Sequence, residues 1–154
     1  MQPAGYKDVQ SEQIPELVMA DGVKVRVIAG SSHGVEGAIQ RPDTEPLFLD
    51  VHVPAGLSFS QSLPVGHNVF FYVYRGEVAV AERTVSAQRM AILRNDAAAD
   101  GVILQAKQDS RLILVAGAPL REPIAQHGPF VMNSREQIEQ AVEDYHAGRF
   151  AAGI

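Results

Sequence analysis

The chain has 154 residues, 46% of them hydrophobic and 20% charged, with a formal net charge of −5; this is the make-up of one ordinary globular domain that can bury a core without staples. It contains no Cys, which excludes a disulfide framework, a thiolate nucleophile, a Cys-based zinc site and an iron–sulfur cluster together. The acidic balance, with no run of Lys or Arg, argues against a phosphate-neutralising surface, so no direct nucleic-acid binding is expected.

Residues 1–22 are polar and interrupted by Pro3 and Pro15, with Leu17 and Val18 as an isolated apolar pair that can dock. They are expected to form an N-terminal arm or interdomain linker. Met1–Gly5 has neither the basic nor the apolar region of a secretory leader, and no stretch approaches the roughly 20 apolar residues of a membrane span, so the expectation is a soluble cytoplasmic protein with no membrane contact. From Val23 the pattern becomes period two. Val23, Val25 and Val27 alternate with Lys24 and Arg26, as in a strand with one buried face, and the Gly/Ser-rich stretch from Ala29 to Ala38 reads as a flexible loop.

Leu47, Leu49, Val51 and Val53 then alternate with Phe48, Asp50 and His52, and Pro54-Ala55-Gly56 closes that strand. Phe59 and Leu63 carry a shorter strand that Pro64 and Gly66 interrupt. Val69–Tyr74, Val/Phe/Tyr throughout, predicts a strand covered on both faces. Arg75-Gly76-Glu77 turns the chain into Val78–Ala81, and further short strands are expected around Ala91–Leu93, Gly101–Gln105 and Leu112–Ala116. Short strands with frequent turn signals, and nine Pro with 13 Gly, indicate a sandwich or barrel.

The last element is a helix. Ser134 is a good N-cap, Gln137 three residues later completes a capping box, and Ile138, Ala141, Val142 and Tyr145 recur on one face until Gly148. The carboxylates on the other faces, Glu136, Glu139, Glu143 and Asp144, read as a solvated surface rather than an acid–base pair. The resulting division is 1–22 as the arm, 23–133 as the barrel, and 134–154 as helix and tail. Within it, Gly128, Pro129, Phe130, Val131, Met132 and Asn133 form a packing or interaction segment, in which Gly128-Pro129 turns the chain and Phe130 and Val131 bury against the barrel.

Several ordered motifs together resemble the pirin family. IPELVMADGVKVRVIAG (Ile14–Gly30), LFLDVHVPAGLSF (Leu47–Phe59), GHNVFFYVYRGEV (Gly66–Val78) and GAPLREPIAQHGPFVMNSREQIEQAVEDYHAGRF (Gly117–Phe150) look like the second half of a pirin. The resemblance implies an all-β, cupin-type antiparallel β-barrel (a double-stranded β-helix, or jelly roll) with an N-terminal arm and one C-terminal α-helix. Pirins are two such barrels side by side, and only the C-terminal one is resembled here. In the family a single non-haem metal, usually iron, sits in the N-terminal cupin on three His and one Glu, and some members have quercetin 2,3-dioxygenase activity. None of those residues has a counterpart in this chain.

Counting back from Gly76, the cupin ligand positions of this barrel fall near Ser62, Pro64 and Val69, which do not ligate metals strongly, and Gly101–Ala116 holds no His. His52, His67 and His127 remain as weak metal candidates, with His33 in the Gly/Ser loop able to join His52 and His127 only if the fold brings them together. No GxSxG elbow, P-loop or GxGxxG is present, and the alternating Ser58, Ser60 and Ser62 read as a polar strand face.

The expectation is therefore a structural or protein-interaction module without metal, cofactor or catalytic residues. Its partner would be a second copy of itself, as a homodimer, or a separate N-terminal pirin-like cupin. Two alternatives are kept. One is part of a metal-dependent, quercetin 2,3-dioxygenase-like enzyme using iron or another divalent transition metal. The other is a small-molecule-binding cupin whose pocket is lined by Phe59, Phe70, Tyr72 and Tyr74.

Overall fold

The computed structural model describes residues 8–149. After a short 3₁₀ turn at Ser11–Gln13, the strands are β1 (Glu16–Val18), β2 (Lys24–Ala29), β3 (Ser31–Ser32), β4 (Val35–Glu36), β5 (Leu47–Val53), β6 (Ser58–Ser62) and β7 (Asn68–Arg75). They continue as β8 (Glu77–Val80), β9 (Arg83–Ser86), β10 (Arg89–Ile92), β11 (Gly101–Ala106), β12 (Ser110–Gly117), β13 (Ala125–His127) and β14 (Phe130–Met132), and the helix α1 spans Arg135–His146. Two compact units result, a β-unit over Val9–Pro119 and a mainly C-terminal unit whose described part is Asp8 together with residues 120–149. No helix among the described residues is long and apolar enough to cross a membrane.

The β-unit is built from a six-stranded sheet in the order β1-β2-β5-β12-β7-β10 and a four-stranded sheet in the order β6-β11-β8-β9. All pairings within the two sheets are antiparallel. Period-two alternation decides which side chains point inward. Val23, Val25 and Val27, then Leu49, Val51 and Val53, then Leu112 and Leu114 of the first sheet are buried, and Phe59 and Leu104 of the second are buried opposite them. Each fully buried Val, Leu or Phe contributes on the order of 1.5–3 kcal/mol. The serines of β6 alternate outward with inward Phe59 and Gln61, so that outer face is polar.

Gly76 and Ser110 fasten β7, β8 and β12 at one corner. Gly76 turns the chain with φ +81°, and a Cβ there would run into the carbonyl of Asp109 and the hydroxyl of Ser110. The fully buried Ser110 Oγ accepts from the Glu77 amide at 2.9 Å and faces the carbonyls of Glu77 (2.9 Å) and Gln108 (2.7 Å). A hydroxyl in that position satisfies backbone groups that neither sheet ladder reaches.

Several details differ from the sequence reading. Residues 16–18 of the supposed arm are an edge strand paired with β2, with Leu17 packed against the core; residues 1–7 and 150–154 of the arm and tail lie outside the described residues. The Gly/Ser loop contains the hairpin β3–β4. β7 is buried on one face only: Phe71 and Val73 are fully enclosed, whereas Phe70 and Tyr72 are half-exposed and Tyr74 is exposed. The barrel boundary moves from Asn133 back to Pro119, because β13 and β14 pair only with each other and group with the helix.

In the C-terminal unit, Gly128 takes φ +54° between the paired His127 and Phe130, with Gly first and Pro second in a two-residue hairpin turn. Phe130 meets Tyr145 edge-on at 6.3 Å, and Val131 is exposed rather than buried as expected. The predicted capping box is formed. Ser134 Oγ accepts from the Gln137 amide at 3.4 Å, and Gln137 Oε1 accepts from the amides of Ser134 (3.2 Å) and Asn133 (2.9 Å). Ile138 and Ala141 are the buried helix residues, while Tyr145 is exposed.

Gly76→Ala combines left-handed strain with a backbone clash, and is expected to cost at least about 2 kcal/mol. Urea denaturation checks this, and a loss under 0.5 kcal/mol, about the size of an ordinary surface change, would contradict the packing described.

Candidate functional site

The core gives out at the end of β6, where an inward position is taken by Gln61 rather than an apolar residue. A buried amide needs partners, and this one has two: Gln61 Nε2 donates to the Ser62 carbonyl at 2.9 Å, and Gln61 Oε1 accepts from Ser32 Oγ at 2.7 Å. Ser32 comes from β3, whose hairpin turns through His33 (φ +49°) and Gly34 (φ +81°). That is a two-residue turn needing positive φ twice, for which Asn-Gly is the usual solution. His33 occupies the first position instead. Its Nδ1 lies 3.0 Å from Ser32 Oγ and its ring 5.8 Å from that of Phe59.

His33, Gln61 and Ser62 border an open cavity of about 800 Å³ at the mouth of the β-unit. His67, from the segment between β6 and β7, lines it with its side chain largely enclosed, and its Nε2 is 3.3 Å from Glu45 Oε2. Arg41 and Asp100 also face the space. Ser62, in the outward phase of β6, and Pro64 border the space; they are two of the three positions at which a cupin would present metal ligands, and Val69, the third, is half-buried on β7. The walls of the cavity differ from those expected of a small-molecule pocket. Phe59 lies in the core, and Phe70, Tyr72 and Tyr74 belong to the outward set of the six-stranded sheet.

The three metal candidates stand in different surroundings. His67 faces the cavity. His52, on β5, is held by Asp109, with Nε2 and Oδ1 2.6 Å apart. His127 is an exposed strand residue of the C-terminal unit. Among the described residues no three His, Asp or Glu side chains form a group able to hold a metal ion. The donor set at the mouth, a serine and a proline where imidazole and carboxylate would be needed, does not fit the three-His-one-Glu centre of the family.

The outer face of the six-stranded sheet is the second feature. Its register aligns Phe48, Val115, Phe70 and Ile92 in one cross-strand row, and Asp50, Ile113, Tyr72 and Met90 in the next. Seven of these eight side chains are apolar or aromatic. Ile92 is 76% and Met90 56% exposed, and the others are half-exposed. The polar border consists of Asp50, which accepts from the Tyr74 hydroxyl at 2.7 Å, and of the His52–Asp109 pair. The hydrogen bond from His52, then its charge and that of Arg75, hold the Asp109 carboxyl below the ordinary carboxylate value.

The cavity residues Glu45 and Gln61, the Ser32 that bonds to Gln61, and the apolar rows escaped the sequence reading. Gln61 was visible as a polar residue in phase with Phe59 and Leu63. The rows were visible as Phe48, Phe70 and Tyr72, apolar residues in the outward phase of otherwise alternating strands.

The sequence profile of the Pirin C-terminal cupin domain family matches residues 48–151. A Pseudomonas aeruginosa protein named "Putative quercetin 2,3-dioxygenase" is 46% identical over 156 residues, covering 97% of this chain and 54% of that protein. Mouse Pirin is 38% identical over 146 residues, 91% of this chain and 49% of its own length. The crystal structure of quercetin 2,3-dioxygenase from Acinetobacter baumannii superimposes with a TM-score of 0.83 at 29% identity, covering 98% of this chain and 52% of that one. The chain spans about half the length of the relatives it matches.

Because Asp109 is held below its ordinary value, its contact with His52 stabilises the fold above the usual carboxylate range and is lost as the pH falls through the depressed folded value. Carboxyl NMR titration of His52→Ala should find Asp109 returned part of the way upward, Arg75 retaining the remainder; an unchanged titration would remove His52 as the cause.

Proposed function

This chain belongs to the pirin family as its C-terminal cupin domain, and from that membership we propose that it is an interaction module without metal or catalytic residues of its own, packing its outward apolar sheet face on a second copy of the same chain. The observation that carries this is the pair of cross-strand rows centred on Phe70, Tyr72, Met90 and Ile92. Antiparallel sheets that face water on one side carry polar residues there. A face this apolar, with Ile92 and Met90 well exposed, has the composition of an interface core with a polar rim. A second copy fits it because a two-fold axis through the rows sets apolar residues on apolar residues and leaves the Asp50 and His52–Asp109 borders at the rim.

Sedimentation equilibrium tests the reading. The unsubstituted protein is expected to form a dimer, and Ile92→Lys is expected to raise the dissociation constant at least about tenfold, the equivalent of about 1.4 kcal/mol. Ile103→Lys, 65% exposed on the other sheet, should leave it unchanged. A monomer at every concentration, or equal effects of the two substitutions, would overturn the proposal.

A second reading is one half of a metal-dependent dioxygenase, favoured by the name of the Pseudomonas relative and by the half-length match. Stoichiometric iron, nickel, copper or manganese in protein purified without chelator would support it over the first.

A further inference from the structure

Hydrogen-bond direction at the cavity mouth follows from one fixed acceptor. The Ser62 carbonyl can only accept, so the Gln61 amide must present its Nε2 there and its Oε1 to Ser32. Ser32 Oγ then donates to Gln61, which leaves the same oxygen to accept from His33 Nδ1–H. The neutral ring of His33 therefore carries its proton on Nδ1 and a lone pair on Nε2. Across the same cavity, Glu45 Oε2 stands 3.3 Å from His67 Nε2, and a carboxylate beside that nitrogen favours the proton there and a lone pair on Nδ1. Both histidines that line the space are thus set as acceptors, each by a partner on its other nitrogen. His33 is held this way at a left-handed backbone position that Asn or Gly would occupy with less strain.

We infer that this cavity binds a small uncharged alcohol or polyol, whose hydroxyl protons are donated to His33 Nε2 and His67 Nδ1. A cavity offering acceptors selects a ligand that brings donors. Glu45 and Asp100 on the wall disfavour an anion, Arg41 disfavours a cation, and Leu47, Leu63 and the prolines of the wall suit a compact carbon skeleton. No metal or second protein chain is required, so the inference stands or falls apart from the association proposed above.

The test uses trans-cyclohexane-1,2-diol as probe, with its dimethyl ether and cyclohexanecarboxylate as controls, read by ¹⁵N shifts of the histidine rings near pH 8.5, roughly two units above the ordinary histidine value. The free protein should display His33 with its proton on Nδ1. The diol should shift His33 Nε2 and His67 Nδ1 saturably, and neither control should do so. Ser32→Ala should abolish the His33 tautomer preference and weaken the diol about fivefold. His33→Asn, which suits the turn and so preserves folding, should weaken the diol by a similar factor. A His33 proton on Nε2, ether binding as tight as the diol, or no saturable shift would each overturn the inference.

Discussion

The antiparallel register of β5, β12 and β7 is the constraint on which the rest depends. It aligns Leu49, Leu114 and Phe71 inward and, one residue away, Phe48, Val115 and Phe70 outward. A one-residue slip in a strand exchanges its two faces, and here both sets are apolar, so hydrophobic burial alone discriminates less than usual. The polar residues of the outward set supply the difference. Asp50 bonded to Tyr74 and His52 bonded to Asp109 would be dragged inside by a slip, where an unpaired carboxylate or imidazole is costly. The irregularity between Arg111 and Leu112, beside the Gly76–Ser110 corner, pins the same register from the end.

Much of this was legible in the residues. Strand β5 could be read to its ends because all four of its inward positions are aliphatic and Pro54 follows. The helix could be read from Ser134 and Gln137. The family resemblance identified the fold more firmly than local pattern did, since strands of four to eight residues leave their partners unspecified. What was not legible depended on pairing. Val69–Tyr74 reads as covered on both sides because Phe70 and Tyr72 are apolar, and only the neighbours Ile113, Met90 and Ile92 reveal that the outer side is a surface. Likewise, Ser32 and Gln61 are 29 positions apart and meet only because the β3–β4 hairpin bends to the end of β6. The Gly128–Asn133 segment was located correctly as turn and helix entry, but its two strands need each other rather than the barrel sheets.

Two chemically different surfaces follow from one set of strands. The mouth of the β-unit is polar because an amide and two histidines replace apolar side chains where the core ends, with His33, Ser32, Gln61 and the Ser62 carbonyl linked by hydrogen bonds. The broad outer sheet face is apolar because β7, β10 and β12 alternate Phe, Tyr, Ile, Met and Val in the outward phase.

Solvent accessibility of individual methyl groups is the most direct measure of whether the apolar face is an interface. With methyl-labelled Ile and Met and a soluble paramagnetic chelate, the account predicts that Met90 and Ile92 relax slowly in concentrated protein and faster on dilution, while Ile103 on the polar sheet relaxes fast throughout. If Met90 and Ile92 relax as fast as Ile103 at every concentration, the face is bare and the interaction-module account is wrong.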